Sequence, residues 1–533
     1  MPSEPLEAEF ACPPALSRAQ EDEFRNLERE GPLSRQSTRH STAVASIADI
    51  EDEYKHRGVR VVTFDQGTGE DPREWSKGKK WYITGTTAYL CLAVALGSAI
   101  ITGDLRGPVE EFNTSQEIVN LTVTCFVMGF GIGPLIFAPL SEVVGRKPMY
   151  CISIFLYFIF TLPSALAPNA ATLVVSRMIA GLAASAPMCN VGGSIADIWK
   201  IEERGIPMAV FSGTLFMGPC VGPLVGGWIG MRAGWRWIYW VLFIFVGVSF
   251  ILTLFIPETL APVLLRRKAA KLRTDNQDQN YHTLEELERR PFKETLIIAL
   301  IRPLVMLFRE PIVLFMAFYL SFVYSLLYLL FFAFPIAFEE IRGFSPGITG
   351  VTFISIMLGI AFALSLMPYQ ERIYRKVTAD GTFPEARLYP MMLGSILLPV
   401  ALFIFAFTGA YVHVHWIGPC VAGTIFGFAM IFIYVAANSY IVDSYSNYAA
   451  SAIAAKTLLR SEVGAMVPLF VTQMFHGMGF QYAGLLLALI ACLILPIPFV
   501  FYKYGGGIRS RSTRATTALR GQGVKGEKGD LGH

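Results

Sequence analysis

The chain reads as an all-α polytopic membrane protein, with twelve transmembrane helices arranged as two six-helix bundles. Three observations predict this. Hydrophobic residues make up 53% of the 533 residues and charged residues only 16%, far from the balance of a soluble domain. Apolar runs long enough to cross a ~30 Å hydrocarbon core recur along the chain. A single long polar stretch, Pro257 to Glu310, divides those runs six and six.

Taken in order, residues 1–78 are charged, serine-rich and aperiodic, a cytoplasmic disordered tail with no apolar signal sequence. Within it, Ser34 to Arg39 offers hydroxyls flanked by basic residues, either a kinase substrate or plain soluble tail. Lys77, Lys79 and Lys80 precede Trp81, an interfacial anchor for the first span. The first bundle, 79–256, has spans beginning near Trp81, Ile118, Met149, Leu173, Met208 and Trp237. The central loop, 257–310, carries Arg266-Arg267-Lys268 and the amphipathic segment Leu284 to Arg289. In the second bundle, 311–502, spans begin near Ile312, Ile348, Met391, Trp416, Ala449 and Tyr482, and 503–533 forms a cytoplasmic tail.

Positive charge sets the orientation. Lys77, Lys79, Lys80, Arg146, Lys147, Lys200, Arg204, the central-loop cluster, Arg372, Arg375, Lys376, Lys503, Arg509 and Arg511 all fall on one side. The opposite loops hold only Arg106, Arg232, Arg236 and Arg342, which places both termini in the cytoplasm. Seven of the eight cysteines lie in apolar spans without metal spacing and read as small buried hydrophobes. The sequons at Asn113 and Asn120 lie beside or inside a span and are expected to stay unmodified. No Walker loop and no catalytic constellation occurs, so neither ATP-driven pumping nor enzymatic chemistry is expected, and no cofactor.

Two stretches carry most information. In the fifth span Gly218, Gly222 and Gly226 fall four apart, and a helix face without side chains lets a neighbour approach closely. Pro219 and Pro223 beside it each delete a ladder hydrogen bond, and Gly227 follows. The second span ends in the loop Pro139-Leu140-Ser141-Glu142-Val143-Val144-Gly145-Arg146-Lys147. Glu142 stands four before Arg146, a pairing distance if the helix continues, and Gly145 permits a tight turn. Asp197 closes the fourth span on the same side, so Glu142, Arg146 and Asp197 are placed to form one gating cluster. The plainer alternative is a basic loop that only fixes orientation.

These residues resemble the signature loop of the major facilitator superfamily, in the form found in fungal twelve-span drug:proton antiporters (the DHA1-like group). Arg177-Met178-Ile179-Ala180-Gly181 is similar to that family's intramembrane arginine motif, and Gly218 to Gly227 to its antiporter motif. Pro257-Glu258-Thr259, Pro384-Glu385-Ala386-Arg387-Leu388, Ala449-Ala450-Ser451-Ala452, Arg460-Ser461 and Pro468-Leu469-Phe470 follow in the family's order. The resemblance implies two bundles around a central cavity, alternating access, and export driven by proton entry. Glu142 stands where many members outside fungi have aspartate, which keeps the carboxylate.

Ionisable residues inside spans are functional candidates, because each needs a partner there. Arg177, Asn190, Tyr324, Tyr328, Asn438, Tyr440, Lys456 and Arg460 are the substrate-binding candidates. For the tyrosines core packing is the competing role; for Arg177 and Arg460 it is an ion pair or carbonyl contact that locks helices. Asp104 and Glu462 are the proton-coupling candidates, while His413, His415 and His476 read as solvated. An interior with Arg177, Lys456 and Arg460 and few acids favours an anion, an organic acid or acidic secondary metabolite. Two alternatives stand beside it: a multidrug or polyamine antiporter, and a non-transporting nutrient receptor. Expected partners are a small-molecule substrate, protons and the lipid bilayer of the plasma membrane, with the chain a monomer and no nucleic acid bound.

Overall fold

The computed structural model describes residues 59–65, 67–200, 203–288, 292–378, 384–512 and 514–515. Most of the expected N-terminal tail, including Ser34 to Arg39, and the chain beyond Ala515 lie outside the described residues.

The first bundle contains α1 (Lys77–Ala99, extended by a 3-10 turn to Gly103), the short α2 (Arg106–Phe112), α3 (Gln116–Val144), α4 (Arg146–Ala165), α5 (Ala170–Ile198), α6 (Gly205–Ala233) and α7 (Trp235–Leu254). Between the bundles run α8 (Ala261–Asn276), α9 (Leu284–Glu288) and α10 (Phe292–Arg309). The second bundle contains α11 (Pro311–Pro335), α12 (Pro346–Thr352), α13 (Ile354–Val377), α14 (Tyr389–Gly409), α15 (Ile417–Ser444), α16 (Ala449–Met466), α17 (Val471–Met478), α18 (Phe480–Ile494) and α19 (Pro496–Arg511). The central segment expected as a polar loop is thus largely helical, and the last helix runs past the boundary expected at residue 502.

Local chemistry explains the breaks. Gly145 (φ +115°) separates α3 from α4 and Gly234 (φ +86°) separates α6 from α7, backbone conformations that cost an L side chain strain. Ser76 and Asn169 cap α1 and α5, their side chains accepting from the backbone N–H groups of Lys79 and Thr172. The described residues contain eleven helices long and apolar enough to span a membrane. The expected span missing from these, the eleventh in chain order, corresponds to α16 followed by α17. It fails that measure because Lys456, Arg460 and Glu462 make it polar and Val467–Leu469 interrupts it.

Large apolar side chains such as Phe308, Phe362 and Leu493 stand exposed around the bundles, as a lipid-facing surface requires. We call the face where α1 begins the tail face. A smaller compact unit comprises, among the described residues, 59–63 together with 265–288 and 292–294. Within it Arg60–Val61 pairs in parallel with Tyr281–His282, and Arg273 bonds Glu286 at 2.5 Å.

Candidate functional site

The short side chains of Ala449 to Ala452 start α16, and Lys456 and Arg460, one turn apart, share a face that turns toward α11 and α15. Lys456 Nζ donates to Asn438 Oδ1 at 2.7 Å and lies 3.5 Å from Tyr434 Oη. The Arg460 guanidinium sits 4.2 Å from the Tyr324 ring centre and 5.4 Å from that of Tyr434. Tyr324 and Tyr328 hydroxyls are 3.3 Å apart, and Tyr328 donates to Ser98 Oγ on α1 at 3.2 Å. From α6, Phe216 meets the Tyr434 ring edge-on at 4.6 Å. The cluster therefore lies on the seam between the bundles.

Its electrostatics are one-sided. Lys456 and Arg460 are 1% and 2% exposed, and among the described residues neither forms an ion pair. Arg460 Nε and Nη1 are buried without a hydrogen-bond partner. Aromatic faces return only about 0.5–2 kcal/mol per cation. A desolvated cation costs several kcal/mol unless matched. The site is short of negative charge.

Other predicted site residues lie elsewhere in the fold. Arg177 donates from Nη2 to the Gly97 carbonyl at 2.5 Å and stacks 4.0 Å from the Phe126 ring, all partners in the first bundle. Asn190 accepts from Ser141 Oγ at 2.9 Å and from Arg146 Nη1 at 3.4 Å, so it belongs to the tail-face cluster. Tyr440 lies by Gly505 and the Glu385–Arg509 pair, away from Lys456. Asp104 accepts from the Gly107 N–H at 2.9 Å and so starts α2; burial pushes its carboxyl above the usual range. Glu462 turns to α3, where a Cβ on Gly131 would stand 2.8 Å from its Oε1, an atom with no hydrogen-bond partner.

At the tail face Arg146 Nε pairs with Asp197 Oδ2 at 3.5 Å, and its Nη1 donates to Ser141 Oγ at 2.6 Å. Glu142 is exposed and makes no ion pair with either residue, because α3 stops at Val144 and the helical four-residue spacing is lost at Gly145. The carboxylate that organises this turn is Glu258. Its Oε1 accepts from the N–H groups of Arg146, Thr259 and Leu260, each at 3.0 Å, and its Oε2 from Lys147 at 3.2 Å. It is an anion at the N-terminus of α4, where the dipole favours one. Glu258→Ala is expected to cost about 2 kcal/mol or more, by leaving buried N–H groups unpaired. The check is a lower thermal midpoint of the purified protein; an unchanged midpoint counts against it.

The second bundle repeats the arrangement. Arg387 bonds Asp443 at 3.0 Å and Glu371 at 2.7 Å, its guanidinium 3.4 Å from the Tyr374 ring. Nearby, buried Arg509 grips both oxygens of Glu385 at 2.7 and 2.9 Å. Sequence reading missed Tyr434, Arg387 as a pairing residue and Glu258 as a cap.

The glycine face of α6 packs on α1: Gly218 against Ala95 and Leu96, Gly222 against Ala99 and Ile100, Gly226 against Ile100. Gly227 instead faces the Pro346 carbonyl of the second bundle, and the Pro223 carbonyl faces Gly350. Despite Pro219 and Pro223, α6 is one continuous helix.

Paired helical bundles with a polar site buried on their seam define a membrane transporter. The chain belongs to the Major Facilitator Superfamily, whose family profile matches residues 86–468. It is 46% identical over 454 residues to the MFS-type transporter paaT of Penicillium rubens, covering 84% of this chain and 83% of that one. It is 40% identical to a multidrug transporter, mdrA, of Aspergillus fumigatus (87% and 77% covered). It is also 40% identical to Polyamine transporter 3 of Saccharomyces cerevisiae (86% and 74% covered). In fold it resembles the proton:xylose symporter XylE, with TM-score 0.57 at 16% identity, covering 81% of this chain and 96% of that one.

Proposed function

We propose that this transporter exports a small organic anion, an organic acid or acidic secondary metabolite, by alternating access coupled to proton entry. The observation that carries the reading is the pair Lys456 and Arg460, buried on the seam with no carboxylate bonded to either. A substrate carboxylate would take the free N–H groups of Arg460 and complete the Lys456 shell, in the charge-assisted geometry guanidinium favours. Glu462, half-buried where α16 meets α3, is the proton-carrying candidate, since parting of the bundles would change its hydration. The positive-charge asymmetry supports cytoplasmic termini, and a plasma-membrane location fits export. On that orientation the backbone contacts of Gly227 with Pro346 and of Gly350 with Pro223 close the outer side.

The test is uptake into inverted vesicles under an imposed pH gradient, with labelled organic acids, polyamines and cationic drugs. Acid uptake that rises with the gradient and disappears in Arg460→Ala supports the reading. A second reading, export of cationic drugs or polyamines, draws on the names of the Aspergillus and Saccharomyces relatives. Stronger uptake of those cations than of any acid would favour it and overturn the first.

A further inference from the structure

A cavity lies on the seam at the face opposite the tails. It has a volume of about 220 Å³ and is lined by Gln116, Glu117 and Asn120 of α3 and by Thr472, Gln473 and His476 of α17. Cavities for drug-sized ligands run about 300–1,000 Å³, so this one suits a molecule of a few heavy atoms. No lysine or arginine lines it.

Two acceptors of the lining stand out, the Asn120 amide oxygen and the Glu117 carboxylate. Asn120, 1% exposed, donates one of its two amide N–H groups to the Pro468 carbonyl at 2.8 Å, and its Oδ1 is buried with no partner. Gln473 donates one amide N–H to Glu117 Oε1 at 2.8 Å, which fixes that carboxylate at the edge of the cavity. Thr472 adds a hydroxyl, and His476 is held by Glu340 at 2.7 Å. A buried acceptor left without a donor costs about 1–3 kcal/mol, so the site is built for a ligand that brings donors. With one carboxylate and neutral oxygens, the matching charge is a single positive one. No group of three or more His, Cys, Asp or Glu able to hold a metal occurs among the described residues. A primary ammonium, with three N–H donors and one charge, satisfies both demands.

We propose that this cavity binds a small primary ammonium ion and, when occupied, holds the face opposite the tails shut. Its walls come from both bundles, α3 of the first and α17 of the second, so it exists only while that face is closed. Ligand bound to one state alone must favour that state. The closing effect rests on the alternating-access reading above; the binding does not.

The experiment uses the full-length protein in lipid nanodiscs and methylammonium chloride as the probe, with tetramethylammonium chloride as a control of equal charge and no N–H. Methylammonium is expected to raise the thermal midpoint saturably, and tetramethylammonium not to. Glu117→Gln, Asn120→Leu and Thr472→Val should each weaken the apparent affinity, Glu117→Gln by about tenfold or more. Arg460→Ala should bind methylammonium like the wild type even where transport is lost, which separates this site from the substrate site. In right-side-out vesicles, external methylammonium should slow flux in the wild type and not in Glu117→Gln. Equal responses to the two cations, or unchanged affinity in all three cavity variants, would mean the cavity holds water only and would overturn the proposal. Binding without any effect on flux would overturn the closing role alone.

Discussion

Arg460→Ala is expected to lower uptake of the transported acid by about a hundredfold or more while leaving the fold intact. The direction on each axis follows from the same geometry. Arg460 stacks on Tyr324 but leaves Nε and Nη1 unpaired, so in the substrate-free state it is a desolvated charge only partly compensated. Removing such a charge tends to be neutral or stabilising, whereas removing the group that grips a carboxylate forfeits one or more charge-assisted bonds. The thermal midpoint should therefore hold or rise as transport falls. Arg460→Lys should recover part of the activity, because the charge returns without the planar fork. A variant that loses transport and midpoint together would assign Arg460 to helix locking instead.

Gly222→Leu is expected to remove folded protein from the membrane altogether. A Cβ there would stand 2.9 Å from the backbone carbon of Ala99 and the backbone nitrogen of Ile100. Main-chain atoms at this junction of α1 with its 3-10 turn cannot swing aside as a flexible side chain can, so α1 and α6 would have to separate. Helix propensity pulls the other way, since replacing an interior glycine gains about 0.5–1 kcal/mol. Overpacking costs typically 1–3 kcal/mol, and more when backbone is displaced over a whole interface, so the collision decides. Gly85→Ala is the control: nothing lies within 4 Å of its Cβ position, and it should be neutral or slightly stabilising. Folded-protein yield by fluorescence size exclusion and the thermal midpoint together read both variants.

The spans could be read from the sequence because long apolar runs have few other uses, and even α16, the most polar, was found by its position. The site was readable only in part. The i, i+4 spacing put Lys456 with Arg460 and Tyr324 with Tyr328, since spacing on one helix is local information. Which helix a face meets is not local. Nothing in the order of residues shows that Arg177 turns to Gly97 within its own bundle, or that Asn190 answers Ser141. The pairing of Glu142 with Arg146 depended on the helix continuing, and the positive φ of Gly145 ends it. Tyr434 looked like any other tyrosine in an apolar run; its one signal was a spacing of four from Asn438.

The polarity of α16 has a consequence for how the chain enters the bilayer. An arginine, lysine or acidic residue at a helix centre costs about 2.5–3.5 kcal/mol on insertion, and this segment carries three ionisable groups. Taken alone it is a poor substrate for lateral release from a translocon. Its stacking partners, Tyr324 on α11 and Tyr434 on α15, are synthesised earlier and already sit in the membrane when α16 emerges. Lys456 then finds Asn438 on the span made just before it. The partners that offset the polarity of this helix are thus all supplied by spans that precede it in the chain.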